Sequence, residues 1–291
     1  MRIMILGADG YLGWPTSVDL SFKNHELLLI DNFTKKKLLA EYNRQPLVKS
    51  KSINSRIKNL NNKKVTFKNI DCSDYAKFSK AFKAFMPDAV IHYAELPSAP
   101  YSMFGHAEGW KTIENNLKST FNLITCIKEF NPTCHVIKLG TMGEYGTPNI
   151  DIEEGWIDVL HKKRKQKFLY PRQASSLYHT SKIMDTDLLW FYVRLYGLRV
   201  TDLMQGPVYG LKANDKINKE ELYPEFTYDD LFGTVLNRFI VQAIVDEPLT
   251  IYGTGYQRTG LMALVDSVNS LAKIPKHKIK SGEHRIINHV T

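Results

Sequence analysis

Short apolar runs alternate with longer amphipathic segments through about the first 205 residues of the chain. The runs have the length and composition of buried strands, and they read IMILG, ELLLID, VTFKNI, AVIHYA, HVIKLGT and LRVTDLM. Alternation of this kind predicts a parallel sheet with right-handed crossover helices on both faces. We therefore predict an α/β fold with a Rossmann-like, doubly wound parallel sheet, in which residues 1–205 form a dinucleotide-binding domain.

The pattern changes after Gly206, where segments become shorter and Pro and Gly are scattered among them. This texture predicts a small C-terminal substrate lobe over residues 206–291, interleaved with the first domain. The last apolar run, RIINHV, reads as a strand with nothing after it, so we expect the chain to continue beyond Thr291. Residues 35–62 form a polar insertion that is long for a β–α connection, and they predict a lid or an interface element.

The first apolar run leads into a glycine-rich loop, Gly7-Ala8-Asp9-Gly10-Tyr11-Leu12-Gly13. Glycines at these spacings allow a tight turn, a close backbone approach to a pyrophosphate and close packing of helix on strand. The helix that follows offers amide donors and a partial positive charge to the phosphates. The loop therefore predicts a dinucleotide site.

Acidic residues end the next two predicted strands. Asp31 lies eighteen residues after Gly13, where a carboxylate accepts a hydrogen bond from the ribose 2′-hydroxyl, and this favours NAD over NADP. The lysines at 35–37 weaken that preference, although they could equally line the pyrophosphate or the adenine. Asp71 ends the third strand, and we expect it near the adenine.

A tyrosine and a lysine four positions apart supply the candidate chemistry. Tyr178 and Lys182 lie in the segment SSLYHTSKIMDTDLLWFYV, which predicts a helix, so both side chains share one face. An ammonium beside a phenol lowers its pKa, and Thr141, at the end of a predicted strand, can hold a substrate oxygen nearby. The set predicts a general base that removes a hydroxyl proton while a cofactor accepts a hydride. Tyr-x-x-x-Lys alone is a weak signal, and the dinucleotide loop is what makes it informative.

Composition and charge exclude more than they identify. The 291 residues are 43% apolar and 24% charged, which is ordinary for a globular protein. The net charge of +9 could suit nucleic acid, but the cations are dispersed apart from KKRKQK at 162–167, which we interpret as a solvated loop. We expect no nucleic-acid partner, and a positive field that favours an anionic ligand such as a nucleotide sugar.

Neither a membrane nor a metal is expected as a partner. No apolar run approaches the roughly 18 residues needed to span a bilayer. The three cysteines, Cys72, Cys126 and Cys134, have no paired spacing, and an odd count fits a reducing cytoplasm. We therefore predict a cytoplasmic protein.

Four blocks of the sequence resemble the UDP-sulfoquinovose synthase family, sulfolipid enzymes of the extended short-chain dehydrogenase/reductase superfamily. The blocks are SAPYSM (98–103), GTMGEYGTPNIDIEEG (140–155), YPRQASSLYHTSK (170–182) and FGTVLNRF (232–239). The 37-position gap between Thr141 and Tyr178 also matches this branch. The resemblance implies an NAD-dependent conversion of UDP-glucose and sulfite into UDP-sulfoquinovose, through 4-keto and 4-keto-5,6-ene intermediates, in a homodimer or higher homo-oligomer.

The resemblance also implies catalytic roles. Tyr178 would be the base at the 4-hydroxyl, with Lys182 as its partner and Thr141 as the ligand of the 4-oxygen. Glu144 and His179 would handle the protons at C5 and C6. A 4-ketone acidifies the C5–H, so a carboxylate near the strand end suits an elimination. Glu144 could instead be a salt-bridge partner, and the histidine could be structural.

Two further sets of residues follow from the motifs and the resemblance together. The expected cofactor-binding residues are Gly7, Asp9, Gly10, Tyr11, Leu12, Gly13, Asp31, Asn32, Lys36, Arg56, Asp71, Cys72, Tyr93, Ala94, Asn116, Tyr178, Lys182 and Gln205. The expected substrate-binding residues are Ser98, Tyr101, Thr141, Met142, Gln205, Thr234, Arg238, Tyr252 and Arg258.

Three departures from the family pattern leave the sulfur donor and the sugar open. Leu96-Pro97 stands where plant members carry Gln-Arg, and Met204 stands where we expect Asn. Arg258 is shifted by one position within the family's Gln-Thr-Arg-Gly motif. The alternative is therefore a nucleotide-sugar 4,6-dehydratase or 4-epimerase that adds no sulfite. A non-catalytic dinucleotide-binding regulator is disfavoured, because it has no need of a tuned phenol.

Overall fold

The computed structural model describes residues 1–147, 151–213, 220–256 and 258–291. Its strands are β1 (Arg2–Leu6), β2 (Glu26–Asp31), β3 (Val65–Asn69), β4 (Ala89–His92), β5 (His135–Thr141), β6 (Trp156–His161), β7 (Arg164–Leu169), β8 (Arg199–Gln205), β9 (Val208–Tyr209), β10 (Met262–Ala263) and β11 (His284–His289). Its α-helices are α1 (Gly13–Phe22), α2 (Thr34–Glu41), α3 (Ile53–Lys58), α4 (Tyr75–Phe85), α5 (Ala99–Ser102), α6 (His106–Phe130), α7 (Leu177–Tyr196), α8 (Val235–Ile244) and α9 (Leu264–Leu271).

Seven parallel strands form the central sheet in the order β11-β8-β5-β4-β1-β2-β3. The chain progresses outward from β1 to β3 in one direction and then from β4 outward in the other, which is the doubly wound arrangement. All six predicted apolar runs contribute strands to this sheet. The predicted fold class is confirmed.

The strands alternate their side chains between two hydrophobic layers, as the period of two in a strand requires. Met4 and Leu6 of β1 join the cluster beneath α4, α6 and α7, whereas Ile3 and Ile5 join the cluster that contains Trp14 of α1. Because both faces are covered, these strands are apolar throughout rather than alternately polar. This explains why they were readable as continuous apolar runs.

The C-terminal segment contributes to two sheets. After β8, the short strands β9 and β10 pair with each other, and α8 and α9 pack around them. Strand β11 then returns to the edge of the central sheet beside β8. The final apolar run is thus part of the dinucleotide-domain sheet.

The polar insertion at 35–62 contains α2 and α3 and contacts the segment that precedes α8. Leu47 donates its amide to the carbonyl of Phe226, and the Arg44 guanidinium pairs with the Asp230 carboxylate at 2.7 Å. These contacts link the second β–α connection to the C-terminal segment.

The basic run at 162–167 is not a loop, which corrects the interpretation made from the sequence. It forms the turn and second strand of a β6–β7 hairpin, in which Asp158 pairs with Lys165 at 2.9 Å. The turn residues Lys162 and Lys163 both have positive φ, of 46° and 63°. Such turns usually carry Asn or Gly, so the sequence lacked the expected hairpin signal. No helix of the described ranges is long and apolar enough to cross a bilayer.

Candidate active site

A cavity of about 870 Å³ opens at the carboxyl end of the central sheet. One wall consists of the loops that follow β1, β2, β3, β4, β5 and β8 together with the start of α7, and we name it the sheet wall. The other wall runs from Asp230 to Arg238 and includes Tyr252, and we name it the lobe wall. Ligands bind at this edge in doubly wound sheets because the strand ends and helix N-termini converge there.

The glycine loop forms one end of the sheet wall. Gly7 has a φ of +76°, and a Cβ there would lie 2.7 Å from the backbone carbonyl carbon of Tyr93. A Cβ on Gly13 would collide with the carbonyl oxygen of Gly7. Both positions therefore require glycine, and both line the cavity.

Two carboxylates border this end of the cavity. Asp31 accepts hydrogen bonds from the amides of Asp9, at 2.8 Å, and Phe33, at 2.7 Å. Burial raises the pKa of the Asp31 carboxyl, and those two amides oppose the shift. Asp71 also lines the cavity and accepts from the Ser73 hydroxyl at 2.7 Å.

Thr141 ends β5 and starts a tight turn at the opposite end of the cavity. Its hydroxyl accepts the Gly143 amide at 3.1 Å. A side chain at position 143 would collide with the imidazole of His179, so the imidazole occupies the space that a side chain there would fill. Thr141, Met142 and His179 all face the cavity.

Helix α7 presents Tyr178 and His179 from its first turn. Ser176 caps the helix by accepting the His179 amide at 3.1 Å, and the Ser102 hydroxyl accepts the Tyr178 amide at 3.1 Å. Burial, with Lys182 as a second cause, lowers the pKa of His179 to about 4, so the imidazole is neutral near pH 7. Burial raises the pKa of the Tyr178 phenol, and the charge of Glu95 raises it further.

Lys182 lies one turn further along α7 and is almost completely buried. Its ammonium forms an ion pair with the carboxylate of Glu95 and donates to the carbonyl of Leu139 at 2.5 Å. Glu95 follows β4 and lines the cavity. The geometry therefore joins the lysine of the Tyr-x-x-x-Lys pair to a carboxylate 87 positions away in sequence.

Glu144 is fully buried behind the Thr141 turn, outside the cavity lining. Its carboxylate accepts the Tyr170 hydroxyl at 3.1 Å and the Thr186 hydroxyl at 3.2 Å, and the Lys138 ammonium lies 3.3 Å away. Burial raises the pKa of this carboxyl, and Lys138 opposes the shift. This environment matches the alternative role considered for Glu144, that of a salt-bridge partner.

Two cations face the cavity without a close carboxylate partner among the described residues. The Lys35 ammonium makes a long hydrogen bond of 3.4 Å to the Thr227 hydroxyl. Burial lowers its pKa, while Glu225 and Asp229 act in the opposite direction from longer range. Arg238 lies over the Tyr252 ring at 4.7 Å, and its buried Nε atom has no hydrogen-bond partner in the described ranges.

A family model now joins this geometry to known proteins, because residues 3–288 match the NAD dependent epimerase/dehydratase family. The chain belongs to this family.

Two relatives are more than 40% identical to this chain in sequence. It is 43% identical to the chloroplastic UDP-sulfoquinovose synthase of Spinacia oleracea, over 100% of this chain and 61% of the relative. It is 41% identical to the UDP-sulfoquinovose synthase of Sulfolobus acidocaldarius, over 99% of this chain and 74% of the relative. The chain thus spans three fifths to three quarters of the length of these relatives.

Solved structures of epimerases share the fold. The UDP-glucose 4-epimerase of Bifidobacterium longum, in complex with NAD⁺ and UDP, matches with a TM-score of 0.71 at 19% identity, over 100% of this chain and 78% of that one. The UDP-glucose 4-epimerase of Thermus thermophilus, in complex with NAD, matches with a TM-score of 0.67 at 21% identity. Its coverage is 100% of this chain and 77% of that chain.

The cavity fits NAD, the cofactor of the epimerase/dehydratase family. Gly7, Gly10 and Gly13 line one end of the cavity, and the start of α1 opens beside them. Asp31 stands at the end of β2, where a dinucleotide ribose binds in this fold. The predicted cofactor is confirmed at the level of the family.

Most of the predicted site residues line this cavity. They are Gly7, Gly10, Tyr11, Leu12, Gly13, Asp31, Asn32, Asp71, Cys72, Tyr93, Ala94, Ser98, Thr141, Met142, Tyr178, His179, Gln205, Thr234, Arg238 and Tyr252. Their binding and catalytic roles stay predictions, since no ligand contact is part of the geometry.

Other predicted site residues lie outside the lining. They are Asp9, Lys36, Arg56, Tyr101, Asn116, Glu144, Lys182 and Arg258. The first three form a buried ion-pair cluster behind the glycine loop, with Lys36 at 2.6 Å from Asp9 and the Arg56 guanidinium against both Asp9 and the Trp14 ring. Tyr101 packs in an apolar cluster, and the Asn116 amide donates to the Ser181 hydroxyl at 2.9 Å. Arg258 is exposed, and its neighbour at 257 and the stretch 148–150 of the resemblance block lie outside the described residues.

Sequence reasoning left three charged groups, Lys35, Glu95 and Asp230, out of the expected lining of the cavity. Lys35 is the lysine of the 35–37 run that lines it, whereas Lys36 was expected to bind the cofactor. Glu95 was not singled out at all, although it follows β4 directly. Its position after a buried strand was the one available signal, because strand ends of a parallel sheet share an edge.

Proposed function

We propose that this chain catalyses the NAD-dependent formation of UDP-sulfoquinovose from UDP-glucose and sulfite. The observation that carries the proposal is the convergence of Thr141, Tyr178 and His179 on one cavity in a chain 43% identical to a UDP-sulfoquinovose synthase. The cavity volume of about 870 Å³ falls within the usual range of small-molecule sites.

The glycine loop, Asp31 and Asp71 would hold NAD along the sheet wall. The chemistry that bound NAD supplies is hydride transfer from C4 of the sugar and back to it. Lys35 and Arg238 would meet phosphate groups, because cations that lack a close partner are stabilised by an anion. The nucleotide sugar would then lie between the sheet wall and the lobe wall.

Tyr178 would take the proton of the 4-hydroxyl as the C4–H bond gives up its hydride. Lys182, one helical turn away, would stabilise the phenolate, and the Thr141 hydroxyl would donate to the 4-oxygen. The product is a 4-keto sugar whose C5–H is acidic. At the end of the cycle Tyr178 would return the proton to the 4-oxygen when the hydride returns to C4.

His179 would carry the protons at C5 and C6, since of the two predicted groups only its imidazole faces the cavity. The neutral imidazole takes the C5 proton, and the resulting imidazolium gives it to the C6 hydroxyl, which leaves as water and creates the 5,6-ene. Hydrogensulfite then forms the C6–S bond, and its proton reaches C5 through the same imidazole. Glu144 would act from behind the turn by fixing its geometry.

The second candidate is a 4,6-dehydratase that adds no sulfite. Pro97 stands in the cavity lining where the resemblance places an arginine, and Met204 is fully buried where it places an asparagine. The change at Pro97 removes a guanidinium that could meet the sulfur nucleophile, whereas Met204 lies outside the cavity lining. A simple 4-epimerase needs no proton carrier at C5, so the position of His179 disfavours it.

Product masses separate the candidates. The chain is incubated with NAD and UDP-glucose, with and without sulfite, and the nucleotide sugars are analysed by mass spectrometry. A sulfonated sugar formed only with sulfite supports the proposal. A 4-keto-6-deoxy sugar formed in both samples supports the dehydratase. UDP-galactose, which has the same mass as UDP-glucose and is separated from it by chromatography, supports the epimerase.

We further propose that the chain forms a homodimer in a reducing compartment such as the cytoplasm. Apolar side chains stand exposed on the outer faces of the two packed helices α6 and α7, among them Trp110, Phe121, Phe191 and Leu195. An exposed apolar face of this kind is typical of a subunit interface. The three cysteines are buried and unpaired, which fits a reducing environment. Sedimentation analysis tests the dimer, and fractionation of the source cells tests the compartment.

A further inference from the structure

The phenol of Tyr178 lies among buried charges from four elements. They are Glu95 after β4, Lys138 on β5, Glu144 in the turn after β5, and Asp185 on α7. Burial and Glu95 raise the phenol pKa, whereas Lys138 lowers it. A phenol that keeps its proton cannot serve as the base at a hydroxyl. The proposed chemistry therefore depends on what controls the charge near Tyr178.

Glu95 is the carboxylate in direct contact with the lysine of this site. The side chains of Glu95 and Lys182 are 2% and 4% exposed, and they form an ion pair. Within the described ranges, neither carboxylate oxygen has a hydrogen-bond partner apart from the Lys182 ammonium. His92 lies 3.9 Å away, but burial lowers its pKa to about 4, so it is neutral and does not compete for the carboxylate.

The pairing has two consequences for Lys182. The carboxylate and the Leu139 carbonyl fix the ammonium from two sides, so its position is set before any ligand arrives. The carboxylate also offsets the positive charge of the ammonium, and an offset charge stabilises a phenolate less. Position and charge of the lysine thus both depend on one residue.

We propose that Glu95 is a positioning residue that holds Lys182 one helical turn from Tyr178 and sets the pH at which the phenol becomes a base. This inference deepens the proposed function and rests on it for the identity of the reaction. It adds a residue that the Tyr-x-x-x-Lys motif does not contain.

Glu95→Gln tests the charge and Glu95→Asp tests the position. In NAD-loaded protein carrying tyrosine labelled with ¹³C at the ζ carbon, the Tyr178 resonance is assigned by its loss in Tyr178→Phe. We expect the phenol of Glu95→Gln to titrate about one pH unit lower than in the wild type, since a nearby negative charge is removed. The rate of single-turnover reduction of NAD by UDP-glucose is measured against pH. In Glu95→Gln, the pH at which this rate rises should be lower by the same amount, and the rate on the high-pH plateau should fall about tenfold.

Glu95→Asp keeps the charge but withdraws it by one methylene. We expect the rate of Glu95→Asp to rise at the same pH as that of the wild type, while its plateau rate falls. A change in plateau rate without a change in pH dependence separates the positioning role from the charge role. Glu114→Gln breaks an exposed ion pair with Lys118 on α6 and should change neither quantity.

An unchanged Tyr178 titration up to pH 11 in Glu95→Gln would overturn the charge role. A wild-type plateau in Glu95→Asp would overturn the positioning role, and this arm holds even if Glu95→Gln does not fold. If no protein reduces NAD with UDP-glucose, the proposed function fails, while the titration still decides the role of Glu95.

Discussion

The two sides of the cavity differ in whether their cations have carboxylate partners. Behind the sheet wall, cations are matched by carboxylates of the chain, as in the Lys182–Glu95 pair and the cluster of Asp9 with Lys36 and Arg56. On the lobe wall and beside it, Arg238 and Lys35 have no carboxylate within ion-pair distance among the described residues. Matched charges fix the architecture and tune the chemistry. Cations without a close partner are left for an anionic ligand.

This difference follows from the cost of burying charge. A buried ion that loses its partner destabilises the fold by several kcal/mol. A charge at the edge of a cavity can keep part of its hydration until a ligand replaces it. We therefore expect substitutions on the sheet wall to change catalysis or stability, and substitutions of the two cavity cations to change ligand affinity.

The largest effect is expected from Tyr178→Phe, because it removes the proposed base of the sheet wall. We expect turnover to fall by about three orders of magnitude, within the range for general acid–base groups, while NAD still binds. Product formation and NAD titration are measured in parallel. Tyr196→Phe, an exposed tyrosine on the same helix, serves as the control and should keep full activity. Retained turnover in Tyr178→Phe would remove it from the mechanism.

Arg56→Met breaks a matched pair and should act on stability. The guanidinium is fully buried between Asp9 and the Trp14 ring, 4.2 Å from its centroid. Removing it should lower the free energy of unfolding by about 3 kcal/mol, measured by urea denaturation. Arg44→Met breaks the exposed pair with Asp230 and should cost less than about 1 kcal/mol. Wild-type stability with weakened NAD binding would instead restore Arg56 to the cofactor-binding set.

His179→Gln should separate the first oxidation from the elimination. We expect formation of the sulfonated sugar to fall about a hundredfold, while reduction of NAD by UDP-glucose persists, because C4 oxidation needs Tyr178 and not the imidazole. Exchange of the C5 hydrogen with deuterated water, followed by mass spectrometry, measures the lost step.

The same residue makes a pH prediction. His179 must be neutral to accept a proton, and its pKa is lowered to about 4. The elimination should therefore lose rate to His179 protonation only as the pH falls through about 4. If the wild-type elimination rate fell near pH 6.5, and this fall disappeared in His179→Gln, the lowered pKa of the buried imidazole would be contradicted.

The fold and one end of the site were predictable because their signals are local. The glycine loop, the strand ending in Asp31 and the i, i+4 pair of Tyr178 and Lys182 each lie within one element or one connection. Their spacing fixes their geometry whatever the rest of the chain does. These elements converge because parallel strands end at a common edge.

Long-range partners were not predictable in this way. Glu95 meets Lys182 only because β4 lies beside β5 in the sheet, and nothing near Glu95 in the sequence reports that contact. Glu144 lies near the end of a predicted strand, as expected, but its carboxylate points toward Lys138, which belongs to the otherwise apolar strand β5. The sequence predicted that Glu144 lies near the site, but it did not predict the direction of its side chain.

The side-chain directions of the three successive lysines at 35–37 were also not predictable from the sequence. One of them tests whether a cavity cation without a close carboxylate partner binds a ligand. Lys35 lines the cavity, Lys36 pairs with Asp9, and Lys37 is exposed, because α2 begins at Thr34 and turns each side chain by about 100°. Lys35→Met should weaken binding of a phosphate-bearing ligand about tenfold, equivalent to about 1.4 kcal/mol. Isothermal titration with NAD and with UDP, taken separately, identifies which diphosphate the ammonium meets. Lys37→Met, one position further along in the same run, should leave both affinities unchanged, and equal affinities in Lys35→Met would show that this cation is not kept for a ligand.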